Sequence, residues 1–192
     1  MTTIAVVRKN GYVAIAADTM TKWGSGKETA DYIVNAHKTF KVRDTVLAIT
    51  GNTTFKAMLA DYFARPKVEA RFDTVHNIFK TWQSLHAVLK EDYFLNASAG
   101  SDDPVESTRV DVLLANKHGI FGVAAHRTVQ EFTRYYAFGS GADYAMGAMF
   151  TTYNDKKRDA EAIAKLGVTA AAEFNDGTGL PLTSYRIKLA RP

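Results

Sequence analysis

Cysteine is absent from the chain, and that omission removes disulfides, thiolate nucleophiles and cysteine-ligated metals together. It fits a reducing compartment, and the N-terminus shows no basic segment followed by an apolar core, so the expected location is the cytoplasm. Long apolar runs are missing as well. Charged residues interrupt every hydrophobic stretch well short of the ~20 residues a membrane helix needs, and no membrane partner is expected. A strong excess of one charge is also lacking, since 24 Lys and Arg stand against 20 Asp and Glu, for a net +4 and a pI near 9.2. The basic residues are scattered, and no RNP, zinc-finger or basic-helix pattern occurs, which argues against a nucleic-acid partner.

Several site patterns fail on inspection. The stretch from Trp23 through Gly24, Ser25, Gly26 and Lys27 to Glu28 and Thr29 glances at a phosphate loop. A phosphate loop needs Gly five residues before its Gly-Lys and Ser or Thr after the Lys, where this chain has Thr21 and Glu28. Five histidines are present, but His76 and His86 sit about three helical turns apart and cannot share an ion. No G-x-S-x-G elbow exists, and Ser140 between two glycines reads first as a tight turn. No metal and no cofactor is expected.

What is there suits a single domain of 192 residues, 46% hydrophobic and 23% charged. Two apolar runs, 1–7 and 12–18, flank Asn10-Gly11, the strongest short-range hairpin signal. Residues 21–35 are polar and glycine-bearing and read as a loop. A second hairpin joins 38–42 to 46–50 around Arg43-Asp44. Asn52 can cap a helix carrying Phe55, Met58, Leu59, Tyr62 and Phe63, stopped by Pro66, and a longer helix follows a cap near Asp73 with Val75, Ile78, Trp82, Leu85 and Leu89 on one face. After a loop over 96–107 comes a third hairpin, 109–115 with 120–123, then a strand over 135–138. Small residues Ala145, Gly147 and Ala148 mark the next helix, and Asp155 or Asp159 opens a last one with Ala160, Ile163, Ala164, Gly167, Ala171 and Phe174 together. A final strand over 182–189 follows Pro181. Strands in antiparallel pairs, with helices in two pairs, predict an α+β, four-layer αββα sandwich of two antiparallel sheets. No internal repeat is seen.

The first strand starts almost at Met1, with no leader evident. A small second residue favours removal of Met1, which would give Thr2 both a hydroxyl and a free α-amino group. That amine is a recorded activator of a threonine nucleophile. Roughly a third of such amines but about one lysine in a thousand is neutral near a pH of about 7.5, so the amine is the base already available. The plainer reading of Thr2 is the start of an edge strand.

Six short stretches in order resemble the proteasome β-subunit and HslV family, and among its members the small bacterial proteasome homologues. They are Thr2-Thr3-Ile4, Ala16-Ala17-Asp18-Thr19, Asn35-Ala36-His37-Lys38, Thr50-Gly51-Asn52-Thr53, Phe138-Gly139-Ser140-Gly141 and Asn175-Asp176-Gly177-Thr178-Gly179. The resemblance covers nearly the whole chain and implies an N-terminal-threonine peptidase. Thr2 would be the nucleophile, with its own amine, directly or through a water, as base. Lys38 would stand beside the hydroxyl as a cation, held by Asp18, and Gly51 would supply the backbone N–H of the oxyanion hole. Ser140 and Asp176 would match the polar pair orienting the amine. Family members usually carry Ser or Thr three residues after that aspartate and then Gly, whereas Gly179 stands three after Asp176 and Thr178 one residue early.

By the same resemblance a peptide is held as an added strand, with Thr21, Lys22, Gly51 and Thr53 contacting its backbone and Ile49 either lining the first specificity pocket or serving as plain core. The expected partners are copies of the chain in homo-oligomeric stacked rings, peptide or unfolded protein substrate, and a separate ATP-dependent unfoldase that the sequence does not name. Two rivals stand beside this reading. One is a catalytically silent ring-forming scaffold, which would have no need to keep Thr2, Asp18, Lys38 and Gly51. The other is an N-terminal-nucleophile amidase acting on a small molecule, a class that commonly uses other spacings.

Overall fold

The computed structural model describes residues 1–97 and 103–190; residues 98–102 of the expected 96–107 loop lie outside the described residues. In chain order come β1 (Thr3–Lys9), β2 (Tyr12–Asp18), β3 (Thr21–Trp23), β4 (Gly26–Glu28), β5 (Thr39–Val42) and β6 (Thr45–Ile49). Two helices follow, α1 (Thr54–Ala64) and α2 (Val75–Glu91), then β7 (Val112–Asn116), β8 (Gly119–Val123), β9 (Val129–Phe132) and β10 (Tyr135–Gly139). The chain ends with α3 (Ala142–Thr152), α4 (Ala160–Phe174) and β11 (Leu182–Lys188).

The first hairpin closes as its sequence dictates. Asn10 and Gly11 both take positive φ, +51° and +76°, the left-handed pair that a two-residue turn matched to strand twist demands. Ile4 then faces Ala17 and Lys9 faces Tyr12. With β10 beside β1 and β11 beside β2, one antiparallel sheet runs β10-β1-β2-β11, and a second runs β5-β6-β7-β8-β9.

The two-residue side-chain period sorts the strands into layers. Ile4, Val6, Val13, Ile15 and Ala17 meet Val46, Ala48, Leu113, Ala115 and Ile120 between the sheets. The alternate positions Ala5, Val7, Ala14 and Ala16 turn the other way, onto Ala160, Ile163, Ala164, Val168 and Ala171 of α4. Small side chains on both surfaces let that helix approach closely. On the far side Leu47, Ile49, Val112, Leu114 and Phe121 pack under Phe55, Leu59, Ile78, Trp82, Leu85 and Leu89 of α1 and α2. The result is the expected α+β, four-layer αββα sandwich.

The structure revises several boundaries. Residues 21–35 hold a short hairpin, β3 with β4, in addition to loop. β7 starts at Val112, because Arg109 takes φ +56° and the Asp111 carboxylate turns to accept from Ala125 N at 2.8 Å. β9 escaped the sequence reading, since its pattern is half-buried at the ends and exposed between them. The cap of α2 is Thr74, whose hydroxyl accepts from Asn77 N at 3.2 Å, with Asp73 holding the Asn77 side-chain amide. Thr53 occupies the cap position of α1, and Asn52 Oδ1 accepts from Thr54 N at 3.0 Å. Of the two candidates for α4, Asp159 caps it, accepting from Ala162 N at 2.8 Å.

Candidate active site

β1 opens at Thr3, with Thr2 just before it, at the end of the sandwich where β2 closes on Asp18, and both threonines are buried. The turn after β10 wraps this end of the chain. Ser140 N donates to Thr2 O at 2.9 Å, and Gly139, at φ +103°, lies so close that a Cβ there would stand 2.0 Å from that same carbonyl oxygen. Only glycine permits both the backbone angle and the approach.

Asp18 is completely buried and its carboxylate is crowded with donors. Oδ1 accepts from Thr3 N at 3.0 Å and Lys38 Nζ at 2.8 Å. Oδ2 accepts from Met20 N at 3.2 Å, Gly179 N at 3.2 Å and Lys38 Nζ at 2.9 Å. The Lys38 ammonium donates onward to Met20 O at 2.5 Å and Met1 O at 3.2 Å. Burial is the largest influence on both groups, pushing the Asp18 carboxyl up and the Lys38 ammonium down, while the pairing pulls each back. Three backbone N–H groups aimed at one carboxylate favour its ionised form.

Thr2 Oγ1 donates to Met1 O at 2.6 Å, the same oxygen that Lys38 Nζ reaches. Hydroxyl and ammonium are thus separated by one shared acceptor. They open onto a cleft of about 370 Å³ lined by Thr2, Lys38, Thr21, Ile49, Gly51 and Thr53, with Lys56, Ala57 and Ala60 of α1 along one wall. Ile49 is both core and lining, packed among the α1 and α2 residues yet reaching the cleft. Gly51 takes φ +91°, and a Cβ would meet Arg109 O at 3.0 Å. Lys56 is committed to the wall, donating to Asn35 O at 3.1 Å and to His37 O, and burial lowers its pKa.

Two expected residues fall elsewhere. Asp176 is exposed and forms an ion pair with Lys22, whose hydrogen bond and then charge hold the Asp176 carboxyl below the usual carboxylate range. The Asp176 carboxylate is therefore turned to Lys22 rather than to Ser140, and Lys22 does not line the cleft. The neighbour of Ser140 is Asn175. Asn175 Oδ1 accepts from Ser140 Oγ at 2.9 Å and from Thr178 Oγ1 at 3.1 Å, and Thr178 Oγ1 lies 2.6 Å from Thr3 Oγ1. Shifting the register by one residue removes the departure noted in the sequence, since Thr178 and Gly179 then stand three and four residues after the polar group. That spacing was the overlooked signal; the adjacent Asp176 drew attention because a carboxylate was expected. Among the described residues no cluster of metal-ligating side chains occurs, and no helix is long and apolar enough to cross a membrane.

A four-layer sandwich that brings a buried threonine hydroxyl against a buried lysine–aspartate pair, open to a cleft, defines a threonine-type hydrolase. No protein-family profile and no curated sequence matches the chain. Solved structures do match it. BPH from Thiobacillus denitrificans is 55% identical over 98% of both chains, with a TM-score of 0.93. Its complex with epoxomicin is 54% identical over 98% of this chain and 99% of that one, with a TM-score of 0.92. HslV from Trypanosoma brucei, at 16% identity over 97% and 99% of the two chains and a TM-score of 0.67, shares the fold. The chain belongs to the proteasome β-subunit and HslV family, together with the bacterial proteasome homologues, and is a threonine-type peptidase.

Proposed function

We propose that the chain, as one peptidase domain freed of Met1, cleaves peptide bonds with Thr2 as nucleophile inside homo-oligomeric stacked rings in the cytoplasm. The observation that carries this reading is the shared acceptor: Thr2 Oγ1 and Lys38 Nζ converge on Met1 O, at 2.6 and 3.2 Å. Loss of Met1 takes that oxygen away and leaves the hydroxyl, its own α-amine and the ammonium as neighbours.

The reaction then runs in two halves. The amine, directly or through a water, accepts the proton of Thr2 Oγ1 as that oxygen attacks the substrate carbonyl. The tetrahedral oxyanion takes a hydrogen bond from the backbone N–H of Gly51, a contribution of about 10²–10³ in rate where such donors have been removed. The carbon–nitrogen bond breaks, the stored proton passes to the leaving amine, and an ester on Thr2 remains. Water, deprotonated by the same amine, attacks the ester; the carboxylic acid leaves and Thr2 regains its proton. Lys38 stays protonated beside Oγ1, favouring the developing alkoxide, and Asp18 keeps the cation in place.

The substrate is peptide or unfolded protein, lying along Thr21, Gly51 and Thr53, with Ile49 favouring an apolar residue at the cleavage point. A separate ATP-dependent unfoldase delivers chains that are folded. The test uses epoxomicin, the ligand of the 54% identical structure. Intact mass is expected to show purified protein lacking Met1 and gaining one inhibitor mass at Thr2, with no gain in Thr2→Ala. A wild-type protein that keeps Met1 and takes no adduct would overturn the reading.

A further inference from the structure

Gly51 lines the cleft, and among the described residues nothing accepts its N–H. What lies behind that donor decides where it stands. Thr50 N donates to Asp111 O at 2.9 Å, which carries the pairing of β6 with β7 one step past Ile49 and Val112. At the next residue the chain turns to φ +91°, and a Cβ on Gly51 would stand 3.0 Å from Arg109 O and 3.8 Å from Val110 Cα. The strap that presents the donor therefore rests on the backbone of residues 109 and 110.

That backbone is not held by a regular ladder. The pairing of β7 with β8 ends at Val112 and Val123, and continuing it would set Val110 against Ala125. Instead Ala125 N donates to the Asp111 carboxylate at 2.8 Å, and Ala125 O accepts from Thr108 N and Thr108 Oγ1, both at 2.7 Å. Residues 108 and 111 thus grip Ala125 from its two sides, and the two residues between them bulge toward Gly51. Arg109, inside the bulge, takes φ +56° with its N–H on Ser107 Oγ at 3.0 Å. Bulges beside active sites re-aim what they carry. We infer that Asp111 is a positioning residue for the oxyanion donor: by accepting Ala125 N with its side chain, it holds the bulge whose backbone sets where Gly51 N stands. The accepted bond matters here rather than the charge, because its donor is a neutral backbone amide and an amide oxygen could take the same place.

This inference rests on Gly51 serving the proposed reaction, which the wild type tests first: protein that neither labels with epoxomicin nor cleaves a fluorogenic peptide overturns both. In an active wild type and its variants, kinetics then test Asp111 alone. An oxyanion contact strengthens in the transition state, so its loss moves kcat rather than KM. Asp111→Ala should lower kcat about tenfold with KM within about twofold of the wild type. A peptide aldehyde reads the same contact at equilibrium. Thr2 Oγ1 bonds to its carbon, the C=O π pair moves onto oxygen, and the hydroxyl proton passes by way of the amine to that oxygen; the corresponding peptide alcohol forms no such bond. In Asp111→Ala the aldehyde's inhibition constant should weaken about tenfold while the alcohol's stays within about twofold. Asp111→Asn keeps an acceptor for Ala125 N and should hold kcat within about threefold of the wild type. Thr108→Val removes one bond from the other side of Ala125 and should lower kcat about threefold, which keeps a readout if Asp111→Ala does not fold. Wild-type kcat in Asp111→Ala, or in Thr108→Val where the first variant does not fold, would overturn the inference. So would equal weakening of aldehyde and alcohol, or an Asp111→Asn as slow as Asp111→Ala.

Discussion

Asp18 and Lys38 are partners, yet removing one should not equal removing the other. Asp18→Asn keeps the shape but puts an NH₂ where an oxygen stood. Each oxygen faces a backbone donor, Thr3 N on one side and Met20 N with Gly179 N on the other, at 3.0–3.2 Å. Either orientation of the amide sets donor against donor, and Lys38 loses its counter-charge in a buried site. Removing one member of a buried pair costs about 3–5 kcal/mol, and this substitution belongs in that range. Lys38→Met leaves the carboxylate its three N–H groups, each worth about 1.5–3 kcal/mol to a charged acceptor. Its loss should be nearer 2 kcal/mol, about half as large. At roughly 2–4 °C per kcal/mol for a chain of this length, Asp18→Asn should melt about 8–16 °C below the wild type and Lys38→Met about 4–8 °C below. Calorimetry at one fixed protein concentration reads both, and neither variant should label with epoxomicin. A Lys38→Met melting temperature at or below that of Asp18→Asn would show that the carboxylate depends on the ammonium rather than on the backbone.

Gly139→Ala forces a Cβ into Thr2 O, 2.0 Å away at φ +103°, and should cut labelling of Thr2 at least tenfold. Gly24→Ala, at φ +57° with open space around it, should cost about 1 kcal/mol and leave labelling intact. His86 is buried, with Nε2 3.1 Å from Glu106 Oε2, and burial lowers its pKa from 6.5. Its unfolded form binds the proton first, so the stability it contributes is present above about pH 6.5 and is lost as pH falls through the folded value; denaturant melts should show that slope in the wild type and a flatter one in His86→Gln. Ala57 lines the cleft wall on α1, and Ala57→Leu should reduce kcat/KM for substrates with a bulky apolar residue at the cleavage point about 10-fold relative to small ones, read from a peptide panel.

The layers of the sandwich were legible because strands and helices are strongly patterned. Ile4, Val6, Ala5 and Val7 alternate by sheet face, and Asn10-Gly11 names its own turn. Residues 21–28 and 129–132 were harder to read because short, exposed hairpins and edges have no buried face to impose a period. The buried pair was legible at the level of residue types, since Asp18 and Lys38 close and open strands of the right sheets. What spacing did not reveal was direction. Asp176 and Asn175 are adjacent in the chain, and in a turn adjacent side chains point apart. One therefore reaches Lys22 at the surface while the other reaches Ser140.

That direction bears on which group can act as base. An ammonium has three protons to donate, and Lys38 Nζ faces four acceptors: both Asp18 oxygens, Met20 O and Met1 O. Three of the four persist when Met1 is gone. Such a lysine is an occupied donor, and although burial lowers its pKa, giving up a proton would strand the Asp18 carboxylate without its cation. In the proposed reaction it therefore stays a donor and does not receive the proton of Thr2 Oγ1. The amine is differently placed. Its corner holds Ser140 Oγ, whose proton goes to Asn175 Oδ1 at 2.9 Å, so that the lone pairs of that oxygen are left to accept from an amine. In the proposed reaction the lysine and the amine thus divide the work: one keeps a cation beside the oxygen that must become negative, and the other is the base that takes its proton.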